Sequence, residues 1–422
     1  MKILLIAYDF PPINNGGVQR PYMMLKYLPR YGVDVAILTH SDNFTDLSDP
    51  SVARIFDLNK SGRYQLLYYP LRLLQKLSTA LGRFRSSHEH WRESSKNHAD
   101  CLIRAWRPDA VLATYPTLEA LELGLFFSNQ YKLPLITDFR DGMIFEPIEN
   151  YLLSNHSALD YYKKIEAAVA ESSTAIITVS DPISDYFQSR YDRGMVYTIP
   201  NGYDSDDFAS LPIDQVNLDN SDLNVVYTGR FALSDVRCDV SGLIIALERL
   251  ALENIQLSKS LKVHFLGEMK SRERRAMRFL INRGIVILHG MVTREESLAY
   301  QKAADLLLLV TSVERTSVAT TKLFEYLHSG VPILALTKGT FAETILRESG
   351  NSWIFHPQDR DSIYNFFVAA LSNSSMIYPC QNEEVIAKFD RSAQMEILSK
   401  ILLDVYKEKG GDKNKPFNKV VD

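Results

Sequence analysis

Thr137-Asp138-Phe139-Arg140-Asp141 sets two carboxylates and a guanidinium at the end of a short apolar run. Three charges there are costly to bury in a core and natural at the carboxyl end of a strand that faces a ligand. Arg140 can hold an anion or acceptor hydroxyls, and Asp138 or Asp141 can orient or deprotonate an acceptor hydroxyl; a structural Asp–Arg ion pair is the alternative. A second segment, Pro11-Pro12-Ile13-Asn14-Asn15-Gly16-Gly17-Val18-Gln19-Arg20, stiffens a strand exit with prolines. Gly16 and Gly17 then precede a helix, where backbone N–H groups can approach an anion closely. The spacing is not GxGxxG, so it carries no dinucleotide fingerprint.

Two further segments bring cations and hydroxyls. Tyr227-Thr228-Gly229-Arg230 puts a permanent cation beside a glycine at a strand end, where a phosphate could sit, and Arg237 lies further along the same loop. In Thr320-Thr321-Lys322-Leu323-Phe324-Glu325, two threonines open a helix, so hydroxyls and free N–H groups face what precedes it. Lys322 falls in the first turn, where a cation is disfavoured unless an anion is present, and Glu325 shares its face at i, i+3. A solvated salt bridge would explain that pair equally. Ile199-Pro200-Asn201-Gly202-Tyr203-Asp204 is a turn signal.

The elements that must position these residues alternate regularly. Strands are expected at 3–7, 33–39, 110–113, 133–138, 175–179 and 195–199, with helices at 20–31 and 158–173 among the intervals. A polar, aspartate-rich stretch, 204–224, interrupts the pattern and reads as a linker. Strands then resume at 225–227, 263–266, 285–288, 306–310, 333–336 and 352–355, with helices at 241–254, 271–283, 295–304, 321–328 and 341–348. The expectation is an α/β protein of two Rossmann-like, doubly wound domains facing across a cleft. Residues 1–203 form the first domain and 204–391 the second. An amphipathic helix, 392–407, can pack back on the first domain, and 408–422 reads as a mobile, charged tail.

The chain has 47 basic and 51 acidic residues, a net charge of −4, so no global basic field suits nucleic acid. Cys101, Cys238 and Cys380 are odd in number and form no metal-binding or disulfide pattern, which fits a reducing cytoplasm. The apolar run from Met1 to Ala7 stops at Tyr8-Asp9 with no small-residue cleavage site, as a first strand would. No run reaches the roughly 20 apolar residues of a spanning helix. Between Leu58 and His88 there is no acidic residue. Lys60, Arg63, Arg72, Lys76, Arg83 and Arg85 alternate there with leucines and tyrosines, a pattern that suits either an anionic membrane surface or a core helix with solvated arginines.

In this order the segments resemble the retaining glycosyltransferases of family 4, with the GT-B fold. The resemblance rests on the Pro-Pro…Gly-Gly…Arg opening, the Pro-Asn-Gly-Tyr-Asp junction, Thr-Gly-Arg, and Thr-Lys-Leu-Phe-Glu-Tyr-Leu…Gly-Val-Pro-Ile. It implies that Gly16 and Gly17 approach the donor phosphates and transferred sugar, that Arg230 holds the diphosphate, and that Glu325 grips the donor ribose. It also implies a nucleotide-sugar substrate, no cofactor and no metal, and a saccharide or lipid-linked acceptor. The Glu-x7-Glu pair of many members is broken here, because Ser317 stands eight residues before Glu325 and Glu314 lies three residues earlier. Arg140 stands where many members have a histidine. A nucleotide-sugar epimerase on the same plan and a non-catalytic sugar-nucleotide-binding scaffold are the rival expectations. A doubly wound oxidoreductase is weakened by the missing GxGxxG.

Overall fold

A computed structural model of the chain describes residues 1–10, 16–40, 55–57, 87–147, 155–191, 195–231, 240–312, 314–317, 319–372 and 380–408. Arg237, the basic segment 58–86 and the tail 409–422 lie outside the described residues.

The chain forms two compact units: Met1–Pro200 with Arg391–Asp422, and Asn201–Asp390. The crossings therefore fall at Pro200/Asn201 and Asp390/Arg391, so Asn201-Gly202-Tyr203 goes with the second unit.

The first unit is built on one parallel sheet of β1 (Lys2–Ile6), β2 (Asp34–Thr39), β3 (Ile55–Asp57), β4 (Ala110–Tyr115), β5 (Leu135–Phe139), β6 (Ser173–Thr178) and β7 (Val196–Thr198). Their order across the sheet is β3-β2-β1-β4-β5-β6-β7. The helices are α1 (Gln19–Tyr27), α2 (Ser87–Trp106), α3 (Leu118–Tyr131), α4 (His156–Ser172) and α5 (Asp181–Tyr191). The second unit has β8 (Leu223–Thr228), β9 (Leu261–Leu266), β10 (Val286–Gly290), β11 (Leu306–Val310), β12 (Ile333–Leu336) and β13 (Ser352–Phe355), in the order β10-β9-β8-β11-β12-β13. Its longer helices are α6 (Ser241–Glu253), α7 (Arg294–Ala303), α8 (Thr321–Ser329), α9 (Phe341–Ser349) and α10 (Arg360–Ser372). A last helix, α11 (Arg391–Glu408), belongs to the first unit.

Strands covered on both faces must be apolar throughout, and β11, Leu-Leu-Leu-Leu-Val, is buried at every position. In the second unit Val225, Tyr227, Val263 and Phe265 pack beneath α6 and α10, while Val226, Leu266, Leu307 and Leu309 face α8 and α9. In the first unit Met395, Leu398, Leu402 and Val405 of α11 join the core with Met23, Met24 and Leu25 of α1.

Two expectations change in detail. The helix read over 271–283 is two short helices, Ser271–Ala276 and Arg278–Asn282, because the backbone breaks at Met277, whose side chain is buried in the core. Strand β3 has three residues, too few to show a period in the sequence.

Candidate donor and acceptor sites

Each sheet reverses its strand order once, between β1 and β4 in the first unit and between β8 and β11 in the second. Ligands of open parallel sheets bind beyond the carboxyl ends of strands at such switch points. The Gly16-Gly17 loop leads from β1, the Asp138–Asp141 segment ends β5 next to β4, and Gly229-Arg230 leaves β8.

In the first unit two arginines organise the loops. Arg20, at the start of α1, is fully buried against Asp138, with Nη2 2.7 Å from Oδ1 and Nε 3.0 Å from both carboxylate oxygens. Thr114 of β4 donates to Asp138 Oδ2 at 3.0 Å. Arg20 Nη1 donates to the carbonyls of Ile199 and Pro200 at 2.8 and 3.1 Å, so one side chain ties α1, β5 and the chain's exit from the unit together. Asp138 is 0% exposed and committed to these donors, which corrects its expected role as an accessible base.

Arg140 is also buried. Its Nε donates to Tyr115 O at 3.1 Å, its Nη2 to Pro116 O at 2.6 Å, and its Nη1 to Gly17 O. A guanidinium spread over three carbonyls is a clasp between the loops after β1, β4 and β5, and not an open anion receptor. Burial pulls its pKa below the ordinary arginine value, against the pull of Asp138 and Asp141. Of the three charged residues named from sequence, only Asp141 is half-buried and not fully enclosed; Gly16 is exposed and Gly17 half-buried.

The next loop is braced from below. Glu166 of α4, wholly buried, accepts from Ile144 N at 3.1 Å and from the hydroxyls of Tyr186 and Tyr191 at 2.6 and 2.8 Å. Burial raises its pKa above the ordinary carboxylate value, partly offset by those donors.

In the second unit, Gly229 leaves β8 with φ +84°, a left-handed conformation that disfavours side chains. A Cβ on Gly267, at the end of β9, would lie 2.4 Å from the Gly229 carbonyl, so these two backbones approach as only glycine permits. Arg230 beyond them is exposed. The Lys322 ammonium stands 3.9 Å from the Tyr227 ring centroid, a cation–π contact, and beside the position a Gly229 Cβ would take. Thr320 caps α8 by position but makes no side-chain capping hydrogen bond, and it is exposed; Thr321 is half-buried. Gly229 and Lys322 thus come together at the end of β8, with Arg230 next in the chain and the start of α8 supplying backbone N–H groups.

Glu325, one turn into α8, is nearly buried. It meets Arg294 Nη1 at 3.0 Å and Gln301 Nε2 at 3.4 Å, and Gln301 also donates to Thr228 Oγ1 at 3.2 Å. Ser317 is fully buried, whereas Glu314 is exposed. Arg20, Arg294 and Gln301 went unassigned from sequence. Arg20 stands there only as the last residue of the Pro-Pro…Gly-Gly…Arg opening, and Arg294 only as a cation just before an expected helix. Among the described residues no three His, Cys, Asp or Glu side chains cluster as metal ligands.

Residues 14–207 match the model of Glycosyltransferase Family 4. Solved structures share the whole architecture. Sucrose-phosphate synthase from Thermosynechococcus elongatus aligns over 96% of this chain and 99% of its own, with a TM-score of 0.65 and 14% identity. UDP-GlcNAc 2-epimerase from Methanocaldococcus jannaschii aligns over 96% and 100%, with a TM-score of 0.58 and 12% identity. Anabaena Alr3699/HepE, solved in complex with UDP and glucose, aligns over 97% and 98%, with a TM-score of 0.54 and 15% identity. At such identities the likeness is one of fold, and the fold is GT-B. No curated protein matches the chain significantly.

Proposed function

We propose that the protein is a retaining glycosyltransferase that moves a sugar from a nucleotide-sugar donor to a saccharide or lipid-linked acceptor in surface polysaccharide or glycoconjugate synthesis. The observation that carries this reading is the approach of Lys322 to Gly229 at the β8 switch point, with Arg230 next in the chain and Glu325 one turn behind. Two cations and a helix N-terminus suit a diphosphate, and a carboxylate suits the ribose hydroxyls. The Anabaena structure with UDP and glucose supports a nucleoside diphosphate as the leaving group.

In the reaction, the acceptor oxygen bonds to the anomeric carbon on the face from which the diphosphate departs. The carbon–oxygen bond to the diphosphate breaks, and the acceptor proton passes to a diphosphate oxygen. Arg230 and Lys322 take up the charge that develops, so no metal is needed for that step. The first unit supplies the acceptor site, with Arg140 and Glu166 fixing its loops. The protein works in the cytoplasm, with the basic segment 58–88 resting on an anionic membrane. Vesicles of anionic lipid that bind wild type no better than a variant neutralised at these cations would remove that last element.

The test is calorimetric titration with UDP, GDP, ADP and NAD, repeated on Glu325→Ala and Arg230→Ala. One nucleoside diphosphate should bind, weakened by both substitutions. Binding of NAD alone, or of none of the four by folded protein, would overturn the reading. The fold is shared with a 2-epimerase, so the deciding assay is turnover of the matching nucleotide sugar: a transferase needs an acceptor, and an epimerase does not.

A further inference from the structure

Arg294 is the first residue of α7, and its helix gives it no reason to be there. Thr293 and Glu296 form a capping box: Thr293 Oγ1 accepts from Glu296 N at 3.2 Å, and Glu296 Oε2 accepts from Thr293 N at 2.8 Å. Glu295 and Glu296 already supply the negative charge that a helix N-terminus favours, whereas a cation there opposes the dipole. What the site offers Arg294 is two carboxylates. Its Nε and Nη2 grip Asp207 Oδ2 at 2.9 and 2.6 Å, and its Nη1 reaches Glu325 Oε1 at 3.0 Å. Burial works against the charge on this guanidinium, but Glu325 and Asp207 more than offset it, so its pKa stands above the ordinary value.

The arrangement has a direction. Asp207 belongs to the short 3-10 turn Ser205–Phe208 at the start of the second unit, and it holds one edge of the planar fork. The other edge then meets Glu325 in one fixed geometry. Gln301 holds the second Glu325 oxygen and is itself anchored on Thr228, the last residue of β8. A carboxylate has about four acceptor positions. Two are occupied among the described residues, so two acceptor positions remain for hydroxyl donors.

We infer that Arg294, braced by Asp207, is a positioning residue of the donor site, which fixes the Glu325 carboxylate to receive the vicinal hydroxyls of a ribose. This rests on the reading of Glu325 as a ribose ligand. Arg294 touches no substrate itself; it acts through the orientation and charge of Glu325. A salt bridge that served stability alone would change thermal unfolding without distinguishing one ligand from another.

The experiment is titration of wild type, Arg294→Gln, Glu325→Gln and the double variant with whichever of UDP, GDP and ADP wild type binds, and with pyrophosphate, which has no ribose. Arg294→Gln should raise the nucleotide Kd roughly tenfold, as loss of a charged hydrogen-bond partner would. Pyrophosphate binding should be unchanged. The double variant should bind the nucleotide no more weakly than Glu325→Gln, because both remove the same interaction. Wild-type nucleotide affinity in Arg294→Gln, with Glu325→Gln weakened, would overturn the inference and leave the ribose reading standing. Additive losses, or an equal loss for pyrophosphate, would overturn it too. If Glu325→Gln binds nucleotide as wild type does, the ribose reading itself fails and the inference falls with it. Should Arg294→Gln not fold, Asp207→Asn carries the test, with a smaller rise in nucleotide Kd expected and wild-type affinity counting against the proposal.

Discussion

Arg20 and Asp138 are paired 2.7 Å apart with both side chains fully buried, 118 residues apart in sequence. Neither charge has access to water, so each depends on the other and on Thr114, Ile199 and Pro200 for its hydrogen bonds. Removing one partner strands the other. Asp138→Ala should therefore destabilise the first unit by about 3–5 kcal/mol. The double replacement Arg20→Met with Asp138→Leu should cost less than Asp138→Ala alone. Thermal unfolding of the three variants checks this, and a double variant less stable than Asp138→Ala would contradict it.

Arg140→Lys should loosen two loops without touching the second unit. A lysine ammonium cannot serve the Gly17, Tyr115 and Pro116 carbonyls as the fork does. Hydrogen exchange should quicken around 16–20 and 115–117, while nucleotide affinity stays at the wild-type value. Unchanged exchange in both loops would show that Arg140 is not their clasp.

Gly267→Ala should weaken nucleotide binding although residue 267 carries no ligand group. Its new methyl would meet the Gly229 carbonyl at 2.4 Å, and backbone must shift exactly where β8 hands over to Arg230. Gly229→Ala strains a left-handed backbone without that clash, at a cost of about 1 kcal/mol or more. Calorimetry on both variants should show affinity lost in each, with Gly267→Ala losing at least as much.

The second unit should lose stability in mild acid. His264 of β9 is held neutral, with a pKa pushed down to about 4 by burial, the neighbouring His289 and Lys262. Its Nε2 faces Asn224 Oδ1 at 3.1 Å and its Nδ1 faces His289 Nε2 at 3.0 Å. An unfolded histidine titrates near 6.5, so between about 6.5 and 4 the unfolded chain binds a proton that the folded unit refuses. The contribution is fully present above pH 6.5 or so and is lost as pH falls toward 4. Thermal midpoints measured across that window should slope more steeply in wild type than in His264→Gln.

Much of this was legible in the sequence, and for a physical reason. Parallel strands buried on both faces are apolar runs, so Leu306–Val310 and Ile333–Leu336 could be read to the residue. The Gly229-Arg230 and Lys322 groups were visible because each is a local anomaly: a cation next to a glycine, or a cation in the first turn of a helix. What stayed hidden depends on distant partners. Nothing near Asp138 in sequence announces Arg20, and nothing near Glu325 announces Asp207. Arg140 looked like an anion receptor because a guanidinium pointed at a ligand and one pointed at three carbonyls have the same local sequence.

The last helix sets an order of events during synthesis. Met395, Leu398, Leu402 and Val405 cover Met23, Met24 and Leu25, yet the whole second unit is translated between them. At about 5–20 residues per second, a ribosome needs on the order of ten seconds or more for that stretch. Throughout that time the earlier-made α1 has an apolar face without its cover, while Asn201–Asp390 can already close its own core. The second half of the molecule is thus able to finish folding first, and a chain stalled before Arg391 would display a sticky methionine-rich surface to chaperones and proteases.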